Sequence, residues 1–220
     1  MAKYCGPARV LSNQPIGEGL FEMALSLPPL FDGAGPGQFL HLRIRETLEP
    51  FLRRPFSIYD VGPVPRRKEE RRVSFLYDVV GHGTALLAGM QPGASVDVLG
   101  PLGRAYADRP QAKVTLLVGG GIGIPPMYFL ARRYMTRQSQ TRDERWYALL
   151  GARTKKKLCS VANFERIGVT PVIATDDGSE GHKGFVTELM EHFVAVTRGF
   201  RWSIRMYGCG PEPMLEKMVA

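Results

Sequence analysis

A chain of 220 residues with 44% hydrophobic and 23% charged residues holds enough apolar material for a buried core, which excludes disorder over most of its length. Its net charge is +8, from 29 Lys and Arg against 21 Asp and Glu, and its three cysteines, Cys5, Cys159 and Cys209, lie far apart with no C-x-x-C pair. That spacing speaks against a disulfide framework and against a metal site made by this chain alone; the lack of a bilayer-spanning apolar run or an apolar signal core predicts a cytoplasmic protein with no membrane partner.

Up to about residue 108 the pattern is short apolar stretches broken by Gly and Pro. Residues 8–11, 21–25, 39–44, 56–59, 73–77 and 95–99 read as strands, several alternating with period two. Turn signals separate them at Pro36-Gly37, Gly62-Pro63, Pro92-Gly93 and Gly100-Pro101. One helix is predicted over 84–90. Six short strands and one helix predict a six-stranded antiparallel β-barrel. Residues 65–72, Pro-Arg-Arg-Lys-Glu-Glu-Arg-Arg, read as a solvated loop. The other reading is a nucleic-acid surface, but the run has no interleaved aromatics and no reading helix, so no nucleic-acid partner is expected. Lys155-Lys156-Lys157 is treated in the same way.

After residue 112 the texture becomes strand, Gly-rich turn, helix. Residues 114–118 form a continuous apolar β run, as a strand buried on both faces should. Helical periodicity covers 127–137 and 185–196, and further strands are predicted at 146–150, 170–174 and 202–207. Pro211 opens a last helix. Alternating strands and helices predict an α/β Rossmann-like parallel sheet wound by right-handed crossovers. The predicted domains are therefore 1–108 and 109–220, with the boundary near 107–112.

Several short motifs lie where chemistry is expected. Arg54 could pair with a phosphate and Ser57 could hydrogen-bond a ring nitrogen. Gly81-His82-Gly83-Thr84 opens the one helix of the first half, where backbone N–H groups would meet a second phosphate; His82 reads as a loop residue rather than a catalyst. Gly121-Ile122-Gly123-Ile124-Pro125-Pro126 is a G-x-G-x-x-P turn directly after the first parallel strand, and Cys209-Gly210-Pro211 follows the last one. Both are carboxyl ends of parallel strands, where open α/β sheets bind ligands. Cys209 has two readings, beside a reacting ring or as a small buried filler. Asp176 and Asp177 end another strand; they either bind ribose hydroxyls, which favours NAD over NADP, or form an Asx turn.

Taken in order, the Arg-Pro-Phe-Ser strand, the Gly-Thr helix start, the G-x-G-x-x-P turn and the Cys-Gly-Pro turn resemble the ferredoxin–NADP reductase superfamily over almost the whole chain. Gly100-Pro101-Leu102-Gly103, Gly151-Ala152-Arg153-Thr154, Thr175-Asp176-Asp177-Gly178-Ser179, Gly184-Phe185-Val186-Thr187 and the segment from Cys209 to Met214 look most like the electron-transfer subunit of type B dihydroorotate dehydrogenase. The resemblance implies a flavin-binding barrel and a nicotinamide-binding α/β domain. It implies an FAD site at Arg54, Pro55, Phe56, Ser57, Leu76, Tyr77, Asp78, Gly83 and Thr84. It implies an NAD(H) site flanked by Gly121, Gly123, Pro126, Cys209, Gly210 and Pro211. No side chain is needed as acid or base for hydride passage between the two cofactors, so no firm catalytic residue is assigned; Cys209 is the candidate nearest the nicotinamide.

The same resemblance implies a hetero-oligomer with a catalytic dehydrogenase subunit, one acting on dihydroorotate in pyrimidine synthesis. The alternative is a subunit of an NADH-dependent ferredoxin or sulfide oxidoreductase. Members of this branch add a cysteine-rich [2Fe–2S] segment after the Cys-Gly-Pro helix. The cluster needs four thiolates, and three scattered cysteines do not supply them, so no [2Fe–2S] cluster and no other metal is expected in this chain. A rival from another class is a nucleotide-binding regulatory protein without turnover.

Overall fold

β1 (Tyr4–Gly17) carries the alternation of a strand with one buried face, and it runs antiparallel to β2 (Leu20–Leu27) on one side and to β7 (Ser95–Leu102) on the other. The computed structural model describes residues 2–44, 52–107, 112–137, 144–197 and 203–219, and it divides into two compact units, Met1–Tyr106 and Ala107–Ala220. Residues 108–111, within the expected boundary, lie outside the described residues.

The first unit is completed by β3 (Phe39–Arg43), β4 (Arg54–Ser57), β5 (Asp60–Val64) and β6 (Arg67–Asp78). The sheet order is β4-β3-β7-β1-β2-β6-β5. β4 and β5 stand at opposite ends of that order, yet only Ile58 and Tyr59 separate them in sequence. The sheet must therefore curl until its ends meet, and Tyr59 N–H donates to Ser74 O of β6 at 2.8 Å across the seam. Phe56 of β4 packs there against Phe75 and Tyr77 of β6, with ring centroids 4.8 and 5.9 Å away. The core inside the curl is apolar: Val10, Met23, Leu25, Leu40, Phe75 and Val98 are all buried.

Among the described residues seven strands stand where six are predicted. β5 escapes the sequence pattern because Gly62-Pro63, read there as a turn, lies inside it. β5 is an edge strand, where the missing N–H of Pro63 is tolerated. The basic run changes meaning with it. Residues 65–72 are not a loop: Pro65 and Arg66 make the hairpin turn, with Arg66 at φ 62°, and the rest is the start of β6. Three of its five cations are paired within the barrel: Arg71 with Asp32 at 2.5 Å, Arg72 with Asp60 at 2.5 Å and Arg67 with Glu70 at 2.8 Å.

α1 (His82–Ala88) begins two residues before its predicted start, which makes His82 its first residue. The Thr84 hydroxyl accepts from the Val80 and Gly81 N–H groups at 3.0 and 3.2 Å, so Thr84 closes the turn that starts the helix. At the other end Asn13 donates to the carbonyls of Leu87, Ala88 and Met90, which occupies acceptors that a helix end leaves free.

The second unit contains β8 (Val114–Gly120), α2 (Ile124–Arg137), β9 (Arg145–Ala152), α3 (Val161–Arg166), β10 (Thr170–Thr175), β11 (His182–Lys183), α4 (Val186–Thr197), β12 (Ile204–Cys209) and α5 (Glu212–Val219). The order β11-β10-β9-β8-β12 is parallel throughout, as the alternation of strands and helices predicts. β8, between β9 and β12, is buried along its whole length. α2 starts at Ile124 rather than 127, because Pro125 and Pro126 fit a first turn whose N–H groups have no partner anyway. Two-residue β11 and six-residue α3 are too short to show a period. Residue 202, the predicted start of the last strand, lies outside the described residues. Leu116, Val118, Leu149, Ala174, Val186, Met190 and Met214 form a core on one side of this sheet. No helix among the described residues is long and apolar enough to cross a membrane.

Candidate functional site

In the first unit, Arg54 begins β4 and reaches the start of α1. A Cβ on Gly83 would stand 2.8 Å from Arg54 Nε, and the guanidinium also donates to the carbonyl of Leu52. Two residues from different elements, 29 positions apart, thus share one small volume. Leu52 and Val80, two and three residues before Arg54 and Gly83 in sequence, are 69% and 81% exposed. A cation set against a glycine, with exposed apolar side chains nearby in sequence, suits a group with a phosphate and a flat ring, and FAD is such a group.

The other expected FAD residues divide. Ser57 is half-buried at the end of β4 and Pro55 is exposed. Phe56, Leu76 and Tyr77 are buried, with Phe56 and Tyr77 in the ring cluster of the barrel. The Tyr77 hydroxyl donates to Asn13 Oδ1 at 2.9 Å, and burial pushes its pKa up to about 12. Since Asn13 holds the last carbonyls of α1, Tyr77 acts on that helix from inside. Asp78 is half-buried, and Thr84 serves the turn before α1.

In the second unit, the turns after β8 and β12 lie against each other. A Cβ on Gly123 would come within 2.1 Å of the Cys209 carbonyl oxygen, and one on Gly120 within 2.8 Å of Met214 Sδ. Gly123 therefore has a packing reason to lack a side chain. Gly121 differs: its φ is +54° and a Cβ would meet nothing within 4 Å. Pro126 sits in the first turn of α2, while Gly210 faces Met214, whose Cε would be 2.5 Å from an added Cβ.

A cleft of about 500 Å³ opens at the carboxyl ends of β8, β9 and β10, the size of an ordinary small-molecule site. Its lining is mostly apolar and includes Gly121, Arg153, Asp176, Phe185, Pro211 and Lys217. An apolar slot with two cations and one carboxylate suits a dinucleotide, whose pyrophosphate, ribose hydroxyls and rings each find a partner there. The two adjacent aspartates have different surroundings. Asp176 lines the cleft. The Asp177 carboxylate accepts from Ser179 N–H at 3.0 Å and Ser179 Oγ at 2.6 Å, an Asx turn that holds its pKa below the usual carboxylate range. Cys209 is half-buried, and desolvation raises its thiol pKa, so the sulfur beside this turn is a neutral thiol. Among the described residues no group of three His, Cys, Asp or Glu side chains gathers as metal ligands would.

The sequence motifs give no role to Arg153, Phe185 or Lys217. Arg153 and Phe185 stand in the 151–154 and 184–187 motifs, whereas Lys217 is marked only by its place one turn after Met214 on α5.

The profile described as oxidoreductase NAD-binding domain matches residues 117–220. Over 211 residues the chain is 38% identical to a dihydroorotate dehydrogenase B (NAD(+)) electron transfer subunit of Geobacillus thermodenitrificans (strain NG80-2), covering 95% of this chain and 76% of that one. The same-named subunit of Bacillus pumilus (strain SAFR-032) is 36% identical, over 95% and 75%. The solved NADH-dependent reduced ferredoxin–NADP oxidoreductase is similar, with a TM-score of 0.76 at 29% identity over 95% of this chain and 69% of that chain. A ferredoxin reductase in carbazole 1,9a-dioxygenase matches all of this chain and 65% of its own with a TM-score of 0.78; at 20% identity that is a likeness of fold.

Proposed function

Because the chain belongs to the family of dihydroorotate dehydrogenase B electron-transfer subunits, a family of flavin- and nicotinamide-dependent oxidoreductases, we propose that it carries electrons between NAD(H) and a catalytic dehydrogenase subunit that acts on dihydroorotate. On this reading it works in a hetero-oligomer, in the cytoplasm, as part of pyrimidine synthesis. FAD and NAD(H), when bound, supply the hydride chemistry.

The chain's own residues bind and orient. In the barrel domain, 1–108, Arg54 holds the FAD phosphates over Gly83, and Ser57 with Pro55 borders the ring. Phe56, Leu76 and Tyr77 support the site from the core, Tyr77 through Asn13 and α1. Asp78 and Thr84 shape the adjoining strand end and turn. In the α/β domain, 109–220, Gly121 offers an open backbone to the pyrophosphate, Arg153 and Lys217 supply positive charge, and Asp176 receives ribose hydroxyls. Gly123, Pro126, Gly210 and Pro211 set the two turns, and Cys209 packs between them as a neutral thiol. Asp177 fixes the loop that carries Asp176.

The observation that carries this reading is the cleft at the strand carboxyl ends, with its apolar walls and three charges. Its test is the visible spectrum of the purified chain before and after anaerobic NADH. Flavin bands that bleach support both sites. A flavin that stays oxidised overturns the nicotinamide reading, and a colourless protein that takes up no FAD overturns the flavin reading. Dihydroorotate-dependent NAD+ reduction after mixing with the catalytic subunit tests the partner. A second reading, a subunit of an NADH-dependent ferredoxin or sulfide oxidoreductase, is favoured by the 29% identity to the NADH-dependent reduced ferredoxin–NADP oxidoreductase. Electron delivery to ferredoxin, with none from dihydroorotate, would select it.

A further inference from the structure

The loops that follow β9 and β10 are bonded to each other. The Asp176 N–H donates to the Ala152 carbonyl at 3.1 Å, and the Asp177 N–H to the Arg153 carbonyl at 3.3 Å. Further along, the direction reverses: the Lys155 N–H donates to Ser179 Oγ at 2.7 Å. Lys155 Nζ also pairs with Glu180 at 2.8 Å, but these side chains are 67% and 38% exposed, and a pair so exposed contributes little. The first two bonds run from backbone to backbone and do not depend on side chains. The third depends on one hydroxyl.

That hydroxyl is itself aimed. Ser179 Oγ–H donates to Asp177 Oδ1 at 2.6 Å, and the same oxygen accepts the Ser179 N–H at 3.0 Å. With its proton committed to Asp177, Ser179 Oγ presents a lone pair to Lys155. The turn is also anchored to the end of β10: the buried Thr175 hydroxyl donates to the Glu180 carbonyl at 2.8 Å and accepts the Glu180 N–H at 3.0 Å. The β9 loop is thus held at the Ala152 carbonyl before Arg153 and at the Lys155 N–H after it.

Arg153 and Asp176 line the cleft from these two loops, whereas Lys155 Nζ and Asp177 are engaged within the loops themselves. A long cation on a loose loop must be ordered when an anion arrives. One whose backbone is already bonded loses less freedom. We propose that Ser179 is a positioning residue for NAD(H): its hydroxyl ties the β9 loop to the β10 loop, so that Arg153 stands ready for the pyrophosphate at a set distance from Asp176. This rests on the cleft being the NAD(H) site.

The test is ADP-ribose binding to the purified full chain, measured by calorimetry. ADP-ribose carries the pyrophosphate and the riboses and needs no hydride transfer. Loss of the hydroxyl predicts binding roughly threefold to tenfold weaker in S179A, with a melting temperature within a few degrees of the wild type. S179T keeps a hydroxyl and returns to within about twofold of the wild type. K155M removes the exposed ion pair but keeps the N–H, and it also stays near the wild type. In the R153A background the tie has no cation to position, so S179A adds less than about twofold there. Wild-type affinity in S179A, equal losses in S179T or K155M, or the same loss with and without Arg153 overturns the positioning role. A wild-type chain that binds neither ADP-ribose nor NADH overturns instead the reading of the cleft on which it rests.

Discussion

The Arg54 side chain occupies the room that a side chain on Gly83 would need: a Cβ there would stand 2.8 Å from Arg54 Nε. The two substitutions at this contact should therefore separate binding from stability. R54A removes a charged hydrogen-bond donor, worth about 1.5–3 kcal/mol, so FAD affinity falls roughly tenfold to a hundredfold. G83A displaces the guanidinium, the far end of a flexible chain, so it weakens FAD in the same direction and by less, with a melting temperature near that of the wild type. Fluorescence titration with FAD and thermal melting of the apoprotein check both.

The two glycines of the G-x-G-x-x-P turn should respond differently to alanine. G123A would drive a Cβ to 2.1 Å from the Cys209 carbonyl oxygen, where only backbone can move, and overpacking of this kind costs about 1–3 kcal/mol or more. G121A meets open space and carries only the left-handed backbone penalty of about 1–2 kcal/mol. Both tryptophans, Trp146 and Trp202, belong to the second unit by sequence, so urea unfolding followed by tryptophan fluorescence reads that unit. A midpoint for G123A at or above that of G121A would contradict the packing explanation.

Coenzyme choice should depend on one aspartate of the pair. Asp176 faces the cleft, and removing one like charge near a 2′-phosphate is worth about 1–2 kcal/mol, so D176A improves NADPH relative to NADH roughly tenfold in kcat/KM. Asp177 is engaged by Ser179, so D177A loosens the loop and moves both KM values together, leaving the ratio unchanged.

Acid should reach the barrel through Glu70. Its carboxyl is drawn down from 4.5 to about 2, first by the hydrogen bond from Ser26, then by Arg67, with Arg9 adding a smaller part. A folded-state value below the unfolded one gives stability that is present above about pH 4.5 and lost as pH falls through about 2. E70Q is therefore less stable than the wild type at neutral pH, and the gap narrows between pH 4.5 and 2. Urea midpoints of both proteins across that range measure it.

Alkylation should order the three thiols by exposure. At pH 8 iodoacetamide modifies exposed Cys5 first and half-buried, desolvated Cys209 more slowly. Cys159, buried and with its pKa pushed up to about 12, reacts only once the second unit unfolds. Peptide mass mapping over time follows the order.

Both fold classes are legible in the sequence, because an uninterrupted apolar run such as residues 114–118 and a period-two strand such as 95–99 are local signals. β5 is hidden because Gly62-Pro63 means a turn everywhere except at a sheet edge. The link from Tyr77 to Asn13 to α1 is hidden because it joins residues 64 apart, and no window along the chain contains both ends. Gly123 is legible as a glycine that matters, but its reason is a carbonyl 86 positions away on β12. Phe185 carries a signal only in three dimensions: inside a helical pattern it counts as one more apolar residue, and only the cleft shows that its ring is left outside the core.

β1 lies between β2 and β7 in the sheet, so its first partner follows after two residues and its second only at Ser95. A chain growing from the ribosome can therefore form the β1–β2 hairpin early, but one edge of β1 waits, unpaired, until Leu102 has emerged. For most of the synthesis of this domain that strand is a template for wrong partners, whether in the same chain or in a neighbour. Ribosome-bound or truncated chains ending before residue 95 are thus the aggregation-prone species, and a slow translation stretch before that point would lengthen the exposure.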